Sequence, residues 1–133
     1  MSDDDELEER LGPVIPANAR PRVQDYGFDL EQALSSVLSI RTHIPDDGFT
    51  ADTLGTERGG NAALISSDGL VVTIGYLVTE AETVWLFDGD GKAIPAHVVG
   101  YDQETGFGLV QALQKLALPP LELGSSDSLR VGD

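Results

Sequence analysis

The sequence predicts an all-β domain, a small barrel or a sandwich of short strands. Apolar residues alternate in short runs that follow one another closely from Val37 onward, the period of half-buried strands. Two Asp-Gly turns, Ser67-Asp68-Gly69 and Asp88-Gly89-Asp90-Gly91, separate such runs, and Asp-Gly readily supplies the positive φ that tight hairpins need. Fifteen glycines and seven prolines in 133 residues imply many turns, and a 41% apolar content is that of an ordinary globular chain. This length suits one compact domain.

Residues 1–24 read as a leader. Six of the first ten residues are acidic, and like-charge blocks stay solvated. Pro13, Pro16 and Pro21 then interrupt regular structure. The residues leave two readings of this leader, a disordered tail or a docking arm for a partner. Asp29 to Leu34 predicts a short helix, with Asp29 as N-cap and Gln32 at the second position of a capping box. Val37 to Thr42 alternates as a strand, and Pro45 to Thr56, polar and rich in Asp and Gly, predicts a loop. Further strands are expected over Asn61–Ser66, Leu70–Thr73, Thr83–Phe87, Lys92–Tyr101 with a curl at Pro95, and Gly108–Leu113. Pro119-Pro120 breaks the chain before Leu121. No repeat of solenoid period is present.

Composition narrows the function classes. The net charge is −15 with only eight Lys and Arg, which argues against a nucleic-acid binder, because such proteins replace counterions with clustered cations. No apolar run is long enough for a membrane span. The acidic start is not a secretory signal, so a cytoplasmic location is the default expectation. Cysteine is absent, which excludes disulfides and thiolate metal sites. There is no P-loop or dinucleotide fingerprint, and no cofactor is expected.

In order and spacing, several segments together resemble the first β-barrel of trypsin-like serine proteases of the high-temperature-requirement (HtrA/Deg) type. Ser36-Val37-Leu38-Ser39-Ile40 is similar to that family's first core strand, and Ile65 to Thr73 to its second hairpin. Val84 to Phe87, Asp88-Gly89 and Ala96 to Asp102 are similar to the strands that follow, and Leu121 to Asp133 to the segment leading out of the barrel. Gly59-Gly60-Asn61-Ala62 stands where the family usually has a Gly-Ser-Gly entry. The resemblance implies a six-stranded trypsin-like barrel over residues 25–133, half of the chymotrypsin double barrel, preceded by the short helix. In that family a second barrel packs against the first, so the resemblance also implies that the chain is a fragment or that a partner covers an apolar face.

The family's chemistry needs a serine nucleophile, a histidine base and an orienting aspartate. The resemblance puts the histidine in a Thr-Asn-x-His-Val-Val type of motif; here the stretch is Thr73-Ile74-Gly75-Tyr76-Leu77-Val78, and Tyr76 takes its place. A phenol with an ordinary pKa near 10 is a poor general base at neutral pH. The aspartate belongs to an Asp-x-x-Thr-Asp-Leu-Ala-Val-Leu type of motif; here Asp102-Gln103-Glu104-Thr105-Gly106-Phe107-Gly108-Leu109-Val110 puts Gly106 there. The serine would lie in a second barrel, and no serine of this chain matches it. The two substitutions fit each other, since a missing base needs no orienting carboxylate.

Tyr76 and Phe107 are the candidate binding residues, beside the cleft the resemblance implies. Their rings either fill the space left by the triad or offer a surface to a partner, and filling is the favoured expectation. Trp85 and Phe87 share one strand face, read as core. His43 and His97 carry no ligand spacing, so no metal site is predicted. Asp88 to Lys92 is not a calcium loop, because Lys92 and Val99 occupy the positions that need oxygen ligands.

The resulting expectation is a catalytically degenerate HtrA-like homologue that binds a peptide, a protein or a second barrel of the same polypeptide, and that is compatible with an oligomer. The alternatives are the amino-terminal part of an active endopeptidase whose serine follows Asp133, and a purely structural domain. The family often works outside the cytoplasm.

Overall fold

The structure, a computed structural model, describes residues 15–133; the first fourteen residues of the expected leader lie outside the described residues. Residues 15–24 are exposed and include a 3-10 turn at Ala17–Ala19, and a second such turn spans Val23–Asp25. Helix α1 (Leu30–Ser35) begins as expected at Asp29, whose side chain accepts a hydrogen bond from the Gln32 amide at 3.1 Å. That contact satisfies one of the donors a helix start leaves free.

Six antiparallel strands follow: β1 (Val37–His43), β2 (Glu57–Leu64), β3 (Leu70–Ile74), β4 (Thr83–Phe87), β5 (Ala93–Tyr101) and β6 (Phe107–Ala112). They form a closed barrel in the order β1-β2-β3-β6-β5-β4, which leaves no free sheet edge. Most connections are hairpins between neighbours. The β3–β4 connection is different, because β3 borders β6 whereas β4 borders β1. It crosses one end of the barrel as a 3-10 turn, Gly75–Leu77, and the buried Leu77 and Val78 plug that end. The Thr42 hydroxyl donates to the Leu77 carbonyl at 2.5 Å and holds the plug down. The inward residues of all six strands, among them Leu38, Leu64, Val71, Leu86, Ile94 and Val110, form one apolar core.

The predicted turns are in place. Gly69 has φ +92 and Gly91 φ +80, conformations that glycine adopts without the Cβ clash of other residues. Four sequence expectations are corrected. Strand β2 begins at Glu57 rather than Asn61, and it pairs with β1 from His43↔Glu57 to Val37↔Ala63. The Gly59-Gly60 step looks like a strand breaker, yet a Cβ on Gly60 would come within 2.8 Å of Leu77 Cδ1, so the plug requires glycine there. The loop after Pro45 contains a short helix, α2 (Ala51–Leu54). The irregularity in β5 falls between Val98 and Gly100, where the register with β6 shifts, and not at Pro95.

Trp85 and Phe87 are the fourth correction. Ile40 pairs with Leu86 and Thr42 with Val84, and these four point inward. Trp85 and Phe87 therefore share the outer face, where Trp85 lies opposite Arg41 and Pro95. The Arg41 guanidinium stands 6.0 Å from the Phe87 ring centroid, within reach of a cation–π attraction.

Candidate functional site

The crossover and the β5–β6 hairpin bring together the two turns singled out in the sequence. Tyr76 lies in the turn Gly75–Leu77, and Gly106 closes the hairpin with φ +81. The Gly75 amide donates to the Gly106 carbonyl at 2.6 Å. Both neighbours of this contact must be small. A Cβ on Gly75 would sit 3.2 Å from the Gly106 carbonyl oxygen, and one on Gly108 only 2.7 Å from Val78 Cγ2. Gly75 and Gly108 thus let the Tyr76 turn settle onto the start of β6, and Gly106 supplies the positive φ that closes the hairpin.

The aspartate of this hairpin, Asp102, is committed to the hairpin itself. Asp102 accepts hydrogen bonds from the Glu104 amide at 3.1 Å and the Thr105 hydroxyl at 3.0 Å. Tyr76 and Phe107 keep 43% and 59% of their surface exposed, so both rings stand on the outer surface of the barrel. The structure places Phe107 and Gly106, but not Tyr76, along a groove of about 470 Å³. Its walls come from β1, β2, β3 and the β5–β6 hairpin, with Val37, Ala63, Val72 and Ile74 on its floor and sides.

This groove belongs to a wider apolar strip. Across the outer face, Val37 pairs with Ala63, Ala63 with Val72, and Val72 with Leu109, while Ile74 pairs with Phe107. Partners in register share a face, so the strip crosses four strands. Val37, Ile74 and Phe107 are each more than 40% exposed.

A second feature, a polar cluster behind the Tyr76 turn, has no signal in the sequence. Arg58 is 5% exposed. Its guanidinium donates to the Tyr76 carbonyl at 2.6 Å, the Thr79 carbonyl at 3.2 Å and the Thr50 hydroxyl at 2.8 Å, and its Nε to the Gly55 carbonyl at 3.1 Å. Glu80 completes the cluster by accepting from the Thr50 hydroxyl at 2.6 Å and from the Phe49 and Thr50 amides, each at 2.7 Å. These donors favour the ionised form. The Thr50 hydroxyl and amide, then the Phe49 amide and the Arg58 charge, hold the Glu80 carboxyl below the usual carboxylate range despite an opposing desolvation. Glu80 adopts φ +60, which is uncommon for a residue with a side chain and is held here by its three donors.

The histidines stand apart from both features. His43 Nδ1 lies 2.5 Å from Glu57 Oε1 across the β1–β2 pair, and His97 lies on the outer face of β5 opposite Gln111. Ser66 bonds to Asp68 within the β2–β3 turn, which accounts for Ser67-Asp68-Gly69 as turn chemistry. Among the described residues no group of His, Asp and Glu could hold a metal ion. No helix there is long and apolar enough to cross a membrane.

A closed six-stranded antiparallel barrel whose crossover turn rests against its last hairpin defines the trypsin-like class of fold. The family description of a trypsin-like peptidase domain matches residues 60–133, and the chain belongs to that family. Among curated proteins it is similar to a probable periplasmic serine endoprotease, DegP-like, of Pseudomonas putida, at 27% identity over 92% of this chain and 32% of the relative. The DegP-like protein of Chlamydia pneumoniae is 35% identical over 56% of this chain and 15% of the relative. Among solved structures, the HtrA-type protease AlgW with a tripeptide superposes with a TM-score of 0.65 at 26% identity, over 78% of this chain and 31% of that one. The chain spans about a third of the length of the first of these curated relatives.

Proposed function

We propose that this barrel is a catalytically degenerate member of the HtrA type, acting as a binding or regulatory module for a peptide or protein. One observation carries the reading. The turns at the family's histidine and aspartate positions are joined by the Gly75–Gly106 hydrogen bond, yet they bear a phenol and no side chain at all. A proton relay needs a base with two usable ring nitrogens and a carboxylate that orients it. Tyr76 and Gly106 supply neither, and Asp102 is tied into its own turn.

The apolar strip Val37–Ala63–Val72–Leu109 with Ile74 and Phe107 is the proposed contact surface. A monomer rarely leaves so continuous an apolar face open to water, and its occupant is a second barrel of the same polypeptide or an extended peptide. Structure neighbours solved with a tripeptide and a decapeptide support a peptide as the ligand class. The relatives named as serine endoproteases favour a second reading, in which the whole polypeptide is an active endopeptidase with its serine beyond residue 133.

The test is cleavage of unfolded casein by the full polypeptide, with and without a covalent serine-protease inhibitor. Degeneracy predicts no inhibitor-sensitive cleavage. Inhibitor-sensitive cleavage overturns it in favour of the endopeptidase reading.

A further inference from the structure

The Arg58 cluster does more than satisfy a buried cation, because it links two surface segments that are distant in sequence. One is the loop 45–55, closed against Glu80 through the Phe49 and Thr50 amides. A Cβ on Gly48 would lie 2.9 Å from Glu80 Oε2, so the loop has room to close because Gly48 is bare. Its tip carries Phe49, whose side chain is fully exposed at 101%. The other segment is the Tyr76 turn.

The hydrogen bonds between them are continuous. Glu80 holds Thr50, and the Thr50 hydroxyl also accepts from Arg58 at 2.8 Å. Arg58 holds the carbonyls of Tyr76 and Thr79. The Thr79 hydroxyl and amide donate to the Gly75 carbonyl at 2.9 and 3.1 Å. The Gly75 amide then donates to Gly106, which lines the groove. No apolar gap interrupts this route, and the Thr50 hydroxyl is the single atom bonded to both the Glu80 carboxylate of the crossover and the Arg58 guanidinium of β2.

We propose that Thr50, Glu80 and Arg58 form a latch that couples the loop 45–55 to the Tyr76 turn, so that release of the loop loosens the turn and the groove wall at Gly106. The consequence for ligand binding rests on the reading of the groove as the contact surface; the coupling itself does not. Two features make the latch releasable. It lies at the end of the barrel that the crossover covers, and its loop is held mainly by polar contacts, three to the Glu80 carboxylate and two to Arg58, with Ala51 the one buried residue of the loop. Thr50, Glu80 and Arg58 are positioning residues.

Hydrogen exchange in the full polypeptide, read by mass spectrometry, tests the latch whether or not the groove binds anything. Glu80→Gln keeps the side-chain shape and removes the charge. It is expected to raise exchange at the Phe49 and Thr50 amides and also at Gly75, Val78 and Thr79 by about tenfold or more, the loss associated with a hydrogen bond to a charged group, while β1 and β4 keep their rates. Thr50→Val removes only the shared hydroxyl, and it is expected to loosen Gly75 to Thr79 even though both backbone contacts to Glu80 remain. If Glu80→Gln fails to fold, Thr50→Val decides alone. Faster exchange confined to the loop 45–55 overturns the coupling. A uniform rise across all strands overturns it too, since the cluster would then serve stability only.

Discussion

The Gly75 amide and the Gly106 carbonyl meet at 2.6 Å, and this contact organises the end of the barrel where the family's catalytic chemistry would lie. It ties the crossover turn to the last hairpin through backbone atoms alone. The site is therefore shaped by the missing Cβ at Gly75 and Gly108 and by the positive φ of Gly106 as much as by the rings of Tyr76 and Phe107.

Gly106 has φ +81, and a methyl group added to it would meet no atom within 4 Å, so any penalty for a side chain there comes from the backbone. Gly106→Ala is expected to cost about 1–2 kcal/mol in chemical denaturation. Gly89→Ala, likewise open but free of a positive φ, is the control and should stay within about 0.5 kcal/mol of the parent. Equal effects of the two would refute the backbone argument.

Gly108 poses the opposite problem, since its added Cβ would lie 2.7 Å from Val78 Cγ2 and 3.4 Å from Gly75 Cα. Overpacking of this kind costs about 1–3 kcal/mol. Combining Gly108→Ala with Val78→Ala should cost less than the sum of the single changes, because the second removes the clashing methyl. Strict additivity in a double-mutant cycle would show that the clash is relieved elsewhere.

Arg58→Ala leaves the Glu80 carboxylate without its cation and strips donors from the carbonyls of Gly55, Tyr76 and Thr79. The expected loss is about 2–4 kcal/mol by denaturant melts. A change below about 0.5 kcal/mol would mean that water replaces the guanidinium at little cost.

The lowered Glu80 carboxyl makes stability depend on pH in a fixed direction. Its contribution is fully present above the unfolded value, about 4.3 for a glutamate, and is lost as pH falls through the lower folded value. The parent should lose stability on acidification below about pH 4.3 more steeply than Glu80→Gln. Parallel melting curves for the two proteins across that range would contradict this.

Phe107 and Ile74 are expected to matter for contact and little for folding. Phe107→Ser and Ile74→Ser should each shift stability by less than about 1 kcal/mol. Both should reduce the fluorescence of anilinonaphthalene sulfonate bound to the 133-residue chain, as removal of an exposed apolar wall requires. Unchanged dye binding would place the sticky surface elsewhere.

Strand existence and turn chemistry were legible because both are local. Thr83–Phe87 is the strand the alternation predicts, and Asp29 caps the helix that its spacing with Gln32 predicts. The facing of β4 was not legible. Val84-Trp85-Leu86-Phe87 is apolar on both sides, so periodicity cannot choose, and the pairing of Ile40 with Leu86 turns the two aromatic rings outward. The start of β2 was hidden because Gly59-Gly60 reads as a break until Leu77 is seen against Gly60.

The candidate site divides along the same line. The amino-acid sequence by itself determined the strand order along the chain, the turn residues and the identity of Tyr76 and Gly106 at the positions the family resemblance marks, since each depends on residues close together. Only the tertiary structure decided that these two turns touch, that an apolar strip joins Val37 to Leu109, and that Arg58, Thr50 and Glu80 share hydrogen bonds. Those contacts depend on barrel closure and on a crossover between strands that are not neighbours, and no local pattern records where such a crossover will lie.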